Sequence, residues 1–567
     1  MSDDALEREE AFDTRQEVFN DLTISELAYA QLVRRCVDHV RKARPAAANP
    51  PWVCVGPRNV GGRIISVTQD PVNATTLYAG SAHGGLWRTH DRGDTWTHLG
   101  GADFNVPIGA LAVHRDRRDL VLVGSGSLEP SYASGIGLFR VRVTPHDDSA
   151  LFERLAAAPP PDEPPAAATN GSAARYTRIE VDPENAKRFW VASQTGLWRC
   201  VIGEANGAPA VWTRDFPPAV APAGTALLAT AATGGNPSWP AYATDLRVAI
   251  DPRSADTTPE DGRVMRRYLV LFVAIQSAGI FRGRYDRQTN TVLWDPVLAV
   301  PNPALGNAFG RGLLALCRAD ANHVYAVFEN QTRALGAPPA AENNHATFVY
   351  HSADCGNNWA TTATGRIPRA FAYEDDPTNP NPAQRFNDGQ ASYSLVLEAH
   401  PTSPAVVACG EIDLCLSTDS AQTWFPILQW QNYDLGDYAQ HADQHVAWFD
   451  LHDRRCLWSG NDGGLSLAPD LTAPPAAPGF WRKRSHGIIA GQFQDVTTHS
   501  NPQLAFMGGG GLQDNGSWVS TGGPTWYHIS GADGGPMAVH ASDPRRYLVA
   551  RQNLVRLNFV TNGPPAR

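Results

Sequence analysis

The stretch from Gly61 to Leu99 constrains the fold most strongly, because its pattern returns along the rest of the chain. It holds four short apolar runs separated by turn-rich breaks, namely Ile64–Thr68, Thr76–Gly80, Gly85–Arg88 and Thr95–Leu99. Four strands joined by tight turns within about forty residues are typical of one β-propeller blade. The stretch therefore predicts an all-β chain made of repeated four-stranded antiparallel blades.

Similar units follow, with insertions of variable length, up to the C-terminal residues. We count about nine units, within a range of roughly seven to ten, and the last one has only three strands. We expect Trp52–Val55 to supply its fourth strand, because one N-terminal strand that closes the ring removes two exposed edges. The sequence thus predicts a single large propeller over residues 46–567.

Residues 1–45 differ from the repeats. Thr23 to Glu26 has the spacing of a helix capping box, and apolar side chains then recur at helical period, namely Tyr29, Val33, Cys36, Val37 and Val40. We predict a short N-terminal helical segment. Its apolar stripe either packs on the side or rim of the propeller, or docks a protein partner or a second copy of the chain.

Composition narrows the classes of function. The formal net charge is −10, with 57 acidic and 47 basic residues, which argues against nucleic acid as a partner. The eight cysteines form no CxxC pair, which favours reduced thiols. Neither a signal peptide nor an apolar run long enough to span a membrane is visible. We therefore expect a protein that is cytoplasmic, or exported without a signal peptide.

A turn motif ends the first unit, with the pattern Thr-x-Asp-x-Gly-x-Thr-Trp. We expect the Asp91 carboxylate to cap backbone N–H groups, Gly93 to permit a positive φ, and Trp96 to fill the gap between blades. Two further copies recur with modest departures, and their corresponding residues are Asp354, Trp359, Asp419 and Trp424. All of these are predicted to be structural.

With these turns, and with the glycine-rich stretches 56–63, 460–464 and 512–516, the chain resembles the bacterial Asp-box (BNR-type) repeat β-propeller proteins. Within that group it is similar to the sortilin-like and xyloglucanase-like branch. The resemblance covers residues 51–560 and implies the propeller fold. For function it implies several classes, since the group includes glycoside hydrolases, receptors and assembly factors.

The topology of a propeller predicts which polar residues lie on the same face. Loops that lead into the first strand of a blade, and loops that join its second and third strands, share one face near the central channel. That face is the default location for a ligand. The residues predicted for this ligand-binding face are Arg63, His83, Glu411, His441, Asp443, His445, Gln513 and Asn515.

The densest polar cluster is the stretch 441–445. In an extended strand, His441, Asp443 and His445 would project to one side, where they could hold a divalent metal ion. The alternatives are a hydrogen-bonded polar network that closes the channel, and simple exposure to solvent. We expect no other cofactor.

Two carboxylates lie in glycine-rich loops of neighbouring blades. Asp462 and Asp514 could be the acid and base of a glycosidase, or both could be Asx-turn residues that hold tight loops. Glu129 is a third candidate carboxylate. Since no complete catalytic set can be assembled, we assign no catalytic residue.

The leading hypothesis is a non-catalytic propeller that serves as a scaffold or protein-interaction module, as a component of a larger assembly. Its protein partners would contact the propeller face and the N-terminal helix. The alternative is a propeller that binds glycans or hydrolyses them through carboxylates of the channel face.

Overall fold

A computed structural model describes most of the predicted blades. The described residues are 54–100, 104–127, 135–144, 148–155, 175–203, 210–217, 242–276, 278–299, 309–330, 345–346, 349–360, 391, 393–430, 440–475, 477, 479–500, 507–551 and 557–560. The predicted helical segment 1–45 and Glu129 lie outside the described residues. Within these ranges, no helix is both long and apolar enough to cross a membrane.

The described residues form 37 strands in nine blade-like sheets and one separate hairpin. Blade one contains β1 (Ile64–Gln69), β2 (Leu77–Ser81), β3 (Leu86–Thr89) and β4 (Thr97–Leu99). Blade two contains β5 (Ile108–His114), β6 (Arg117–Ser125), β7 (Leu138–Val143) and β8 (Ala150–Arg154). Blade three contains β9 (Tyr176–Val181), β10 (Arg188–Ser193), β11 (Gly196–Val201) and β12 (Val211–Phe216).

Blade four carries an insertion. It contains β13 (Ala243–Ile250), the hairpin β14 (Thr257–Glu260) and β15 (Arg263–Arg266), then β16 (Tyr268–Ile275), β17 (Gly279–Asp286) and β18 (Thr291–Ala299). Blade five contains β19 (Phe309–Leu316), β20 (Val324–Asn330), β21 (His345–Ala346) and β22 (Tyr350–Ser352). Both β21 and β22 pair with β20, so the third strand of this blade is split.

Blades six, seven and eight have four strands each, and blade nine has three. Blade six contains β23 (Val396–Ala399), β24 (Val407–Gly410), β25 (Leu414–Ser417) and β26 (Phe425–Leu428). Blade seven contains β27 (Gln444–Phe449), β28 (Leu457–Asn461), β29 (Gly464–Ala468) and β30 (Arg482–Lys483). Blade eight contains β31 (Phe493–Thr498), β32 (Met507–Leu512), β33 (Gly516–Thr521) and β34 (Tyr527–Ser530), and blade nine contains β35 (Gly534–Val539), β36 (Tyr547–Arg551) and β37 (Leu557–Val560). The prediction of antiparallel, four-stranded blades is confirmed, and so is the count of nine units.

The ring closes after seven blades. Each inner strand from β1 to β27 lies beside the inner strand of the next blade, and β27 lies beside β1. Blades one and seven share an apolar core that includes Ile64, Trp87 and Trp458. At their junction the Gln69 side chain accepts a hydrogen bond of 2.7 Å from the Leu451 backbone N–H, across 382 positions of sequence.

Blades eight and nine pack on each other, through β31 and β32 against β35. This arrangement differs from the predicted single ring of nine blades. Cys54 and Val55, the described part of the predicted closing strand, form no strand. Instead the Val55 carbonyl accepts a hydrogen bond of 2.9 Å from the Trp526 indole of blade eight. Every unit repeats the same internal pattern, so the pattern counts blades but does not show which pair closes the ring.

Backbone approach between blades explains Gly511, the last of four consecutive glycines in β32. A Cβ added to Gly511 would lie 2.3 Å from the carbonyl carbon of Gly534 in blade nine. Such a distance leaves no room for any side chain. At Gly511, therefore, the backbones of blades eight and nine are in direct contact.

The turn before β4 has the geometry that its motif suggests. The Asp91 carboxylate accepts hydrogen bonds from the Thr95 backbone N–H at 2.8 Å and from the Thr95 hydroxyl at 2.6 Å. Gly93 has a φ of 85°. Trp96 is buried in the core shared by blades one and seven. Corresponding carboxylate contacts occur at Asp354 and Asp419, and Trp359 and Trp424 pack in inter-blade cores.

We expect Asp91→Ala to lower the free energy of unfolding by about 1–2 kcal/mol, the usual effect of removing a side chain that caps backbone N–H groups. Urea unfolding followed by tryptophan fluorescence would measure it. Asp119→Ala is the matched control, because that carboxylate is 53% exposed and pairs only with Arg117 among the described ion pairs. Equal effects of the two substitutions would contradict the structural role of the turn.

Candidate functional site at the channel mouth

Three loops bring an arginine and two carboxylates together. Arg63 precedes β1, Asp462 lies in the turn between β28 and β29, and Asp514 lies in the turn between β32 and β33. The Arg63 guanidinium donates from Nε to Asp462 Oδ1 at 2.7 Å and from Nη2 to Asp514 Oδ2 at 2.7 Å. The Arg63 and Asp462 side chains are 6% and 0% exposed, and that of Asp514 is 19% exposed. One cation thus joins blades one, seven and eight.

Asp462 is the centre of this network. Besides Arg63, it accepts hydrogen bonds from the Tyr393 hydroxyl at 2.5 Å and from His445 Nε2 at 2.8 Å. Burial alone would raise the pKa of Asp462, but Arg63 and His445 outweigh it and hold that pKa below its usual range. Asp462 is therefore a carboxylate fixed by three donors.

Aromatic contacts hold the donors in place. The Tyr393 and His445 rings meet edge to face, with centroids 5.0 Å apart, and the Arg63 guanidinium lies 4.9 Å from the Tyr393 ring centroid. Sequence reasoning missed Tyr393. The signal that could have found it is its position, since it precedes the inner strand β23 as Arg63 precedes β1.

Further bonds link blade seven to blade eight. His441 Nε2 lies 2.7 Å from the Asp514 carbonyl oxygen, and the Asn515 amide donates to the Asp462 carbonyl at 2.9 Å. Gly463 leaves room for His441, because an added Cβ would lie 2.7 Å from that imidazole. The turns of the two blades are thus bound directly to each other.

The predicted metal grouping does not form. The strand β27 begins only at Gln444, and Asp443 has a φ of 63°, so the stretch 441–443 is not extended and the alternation of side chains does not apply. His441 meets the Asp514 carbonyl, whereas His445 meets the Asp462 carboxylate. No group of three metal-ligating side chains occurs among the described residues.

The setting of Asp462 and Asp514 matches neither the glycosidase acid–base pair nor the Asx turns that the sequence suggested. The Asn461 side chain, not that of Asp462, accepts the hydrogen bond from the Gly463 N–H in the turn. Asp462 and Asp514 instead bind the same guanidinium. A general acid must hold a proton to donate, and the lowered pKa of buried Asp462 opposes this.

The other predicted residues surround this network. His83 is exposed and contacts the Gln492 side chain. The Gln513 N–H donates to the Gln492 carbonyl at 2.9 Å. The Glu411 carbonyl accepts a hydrogen bond of 2.6 Å from the Gln444 N–H, while its side chain is buried.

Below the network lies the central channel, with a cavity of about 120 Å³ lined by the inner strands of all seven ring blades. Charged side chains cross it. Arg247 lies 2.7 Å from Asp245 and 3.3 Å from Glu398, and Arg178 lies 3.1 Å from Asp245. These ion pairs connect blades three, four and six across the channel.

The blades, their inner-strand ring and the polar network at the channel mouth define a β-propeller protein. Among solved structures, the chain is similar to the GH74 xyloglucanase from Xanthomonas campestris, with a TM-score of 0.57 and 18% identity over 90% of this chain and 68% of that one. It is also similar to a GH74 enzyme from Niastella koreensis, with a TM-score of 0.53 and 13% identity over 91% and 67% of the two chains. An ancestral GH74 enzyme gives a TM-score of 0.52 and 15% identity over 92% and 64%.

At these identities the likeness concerns the fold alone. The chain spans about two thirds of the length of each of the three proteins, between 64% and 68%. No protein-family model and no curated protein matches the sequence.

Proposed function

We propose that this protein is a non-catalytic β-propeller that presents the channel-mouth face of its ring to a protein partner within a larger assembly. One observation carries the proposal. Two of the three candidate catalytic carboxylates, Asp462 and Asp514, bind the same arginine, and Asp462 is fully buried with three donors around it. The polar network therefore serves to hold blades one, seven and eight in a fixed arrangement.

A rigid face is what a platform for protein binding needs, since little ordering entropy is then lost on association. The ion pairs that cross the channel add to this rigidity. His83 is the exposed predicted residue at the rim of this face. We place the partner's contact there.

We also propose membership of the Asp-box (BNR-type) group, in the sortilin-like and xyloglucanase-like branch. The support is the recurrence of one turn geometry at Asp91, Asp354 and Asp419. A cytoplasmic location is consistent with the cysteines, since none of those described takes part in a disulfide. The net charge of −10 supports a partner other than nucleic acid.

A second candidate is a glycan-binding or glycan-hydrolysing propeller. Its support is the fold likeness to a xyloglucanase over 90% of this chain. Asp514, which is 19% exposed, would then be the carboxylate that meets the sugar.

A glycan-hydrolysis assay distinguishes the non-catalytic scaffold from a glycan-hydrolysing propeller. We expect no release of reducing ends from xyloglucan or other β-glucans above the buffer rate. Hydrolysis that disappears in Asp514→Asn, while the unfolding midpoint stays unchanged, would refute the non-catalytic proposal.

Cross-linking tests the predicted partner. We expect His83→Glu to reduce recovery of a cross-linked protein at least tenfold. Leu151 is 64% exposed on an outer strand, so we expect Leu151→Glu to leave that recovery unchanged.

A further inference from the structure

The wall of the cavity in the central channel carries polar groups that the fold does not use. Arg178 of β9 and Glu398 of β23 line this cavity, and their side chains are 29% and 17% exposed. Arg178 donates a hydrogen bond from Nε to Asp245 at 3.1 Å, and no described residue accepts a hydrogen bond from its Nη1 or Nη2. The outer end of this guanidinium is therefore available to a ligand.

A tryptophan on blade seven adds a second donor. Trp448 of β27 lines the same cavity, and its buried indole Nε1–H meets no acceptor among the described residues. Trp448 and Glu398 are each the last residue but one of their inner strands, and these strands lie side by side. The indole and the carboxylate thus occupy the same level of the channel. Since a buried donor without an acceptor is unfavourable, a ligand that accepts from this indole gains affinity.

Glu398 supplies an acceptor. Its Oε2 lies 3.3 Å from Arg247 and 3.9 Å from Arg178, whereas its Oε1 accepts no hydrogen bond from a described residue. Burial raises the pKa of this carboxyl group, because it disfavours the charged form. A ligand hydroxyl group that donates to Oε1 stabilises that charged form.

Size and charge restrict the ligand. The cavity of about 120 Å³ is slightly smaller than a cavity of about 150 Å³ that takes up benzene, so it suits a molecule of about six heavy atoms. Among the described residues that line it, three are arginines and two are acidic, namely Arg178, Arg247, Arg311, Asp245 and Glu398. One further carboxylate balances these charges.

We propose that the channel cavity binds a short 2-hydroxycarboxylate of about the size of lactate. Its carboxylate accepts hydrogen bonds from the Arg178 guanidinium and the Trp448 indole, and its hydroxyl group donates to Glu398 Oε1. Its short carbon chain contacts apolar side chains of the lining, such as Leu395 and Val446. This site lies inside the ring and is separate from the face that we propose for a protein partner.

The ligand enters from the end of the channel opposite the polar network. Arg63 precedes the inner strand β1, whereas Arg318 follows the inner strand β19, so the two arginines mark opposite ends of the channel. Arg318 is 47% exposed and lies 3.4 Å from Glu180, which lies 3.9 Å from Arg178. These ion pairs lead from solvent to the cavity, and their arginines attract a small anion.

Ligand-detected NMR titration of the full-length chain tests the proposal. We expect L-lactate to bind about tenfold more tightly than propionate, which lacks the hydroxyl group, since one hydrogen bond to a charged group has about this value. L-alanine should bind more weakly than lactate, because its ammonium group adds a positive charge where arginines already outnumber carboxylates. Equal affinities for lactate and propionate, tighter binding of alanine, or no binding of lactate would overturn the proposal.

A matched pair of substitutions tests the indole. Trp448→Phe removes its N–H and should weaken lactate binding about two- to tenfold, the usual effect of losing one hydrogen bond. Trp212→Phe makes the same change on the outer strand β12, where the indole N–H also meets no acceptor among the described residues. We expect Trp212→Phe to leave lactate binding unchanged, and equal effects of the two substitutions would refute the assigned contact.

The preference for lactate over propionate tests the place of the hydroxyl group. In Glu398→Leu, which has no acceptor at this position, we expect the two affinities to become equal. In Glu398→Gln, which keeps an oxygen acceptor, lactate should still bind more tightly. A merely structural effect changes both affinities together, so a preference that persists in Glu398→Leu, or that vanishes in Glu398→Gln, contradicts the proposed site.

Discussion

Arg63→Ala should lower the free energy of unfolding by about 3–5 kcal/mol, the typical effect of removing one partner of a buried ion pair. The substitution leaves Asp462 with only His445 and Tyr393, in a site where the carboxylate has no exposed surface. It also disconnects Asp514 from blade one. Urea unfolding followed by tryptophan fluorescence would measure the loss.

Two matched variants sharpen this test. Arg115→Ala removes an arginine that is 72% exposed, and we expect a change of less than about 0.5 kcal/mol. Arg63→Lys keeps the charge but lacks the planar fork that binds two carboxylates, so an intermediate loss is expected. If Arg63→Ala behaves like Arg115→Ala, the network does not hold the blades together.

The wild type and Arg63→Ala should also differ in how their free energy of unfolding depends on pH. The pKa of Asp462 is lowered in the folded state, so its stabilising effect is fully present above the unfolded pKa of about 4 and is lost as pH falls through the folded pKa. The stability difference between wild type and Arg63→Ala should therefore be largest above about pH 4 and should narrow in more acidic solution. A constant difference from pH 7 to pH 2 would contradict the assignment.

Gly511→Ala should destabilise the pair formed by blades eight and nine by about 1–3 kcal/mol or more, the usual range for overpacking. The added methyl group would lie 2.3 Å from the Gly534 carbonyl carbon and 2.3 Å from the Gly535 carbonyl oxygen. Both are backbone atoms, so the blades must separate. Hydrogen exchange in β36 would report the loosening.

Gly523→Ala makes the same chemical change where a Cβ would meet nothing within 4 Å. We expect a change of less than about 0.5 kcal/mol there. Equal destabilisation by both substitutions would show that close contact between the blades does not set the cost at Gly511.

Local pattern predicted the strands well. The run Ile64–Thr68 became β1, Ile64–Gln69, because a short, mostly buried run and its flanking turns are encoded within a few residues. Ring closure was not predictable in this way. It depends on how the faces of blades one and seven fit together, and no local motif records that fit.

For the site, topology placed Arg63, Asp462 and Asp514 on one face, and the structure brings them into contact. Their roles could not be derived from spacing alone. Arg63 and Asp462 are 399 positions apart, so only the folded chain shows that one arginine binds both carboxylates. The positive φ of Asp443 likewise overturned a prediction based on strand alternation.

Closure between blades one and seven also has a kinetic consequence. The contact between Gln69 and Leu451 joins positions 382 residues apart. At a synthesis rate of about 5–20 residues per second, blade one waits roughly 20–80 s on the ribosome before blade seven emerges. During that interval the flank that carries Ile64 and Trp87 has no neighbour from blade seven and stays a target for chaperones or for aggregation.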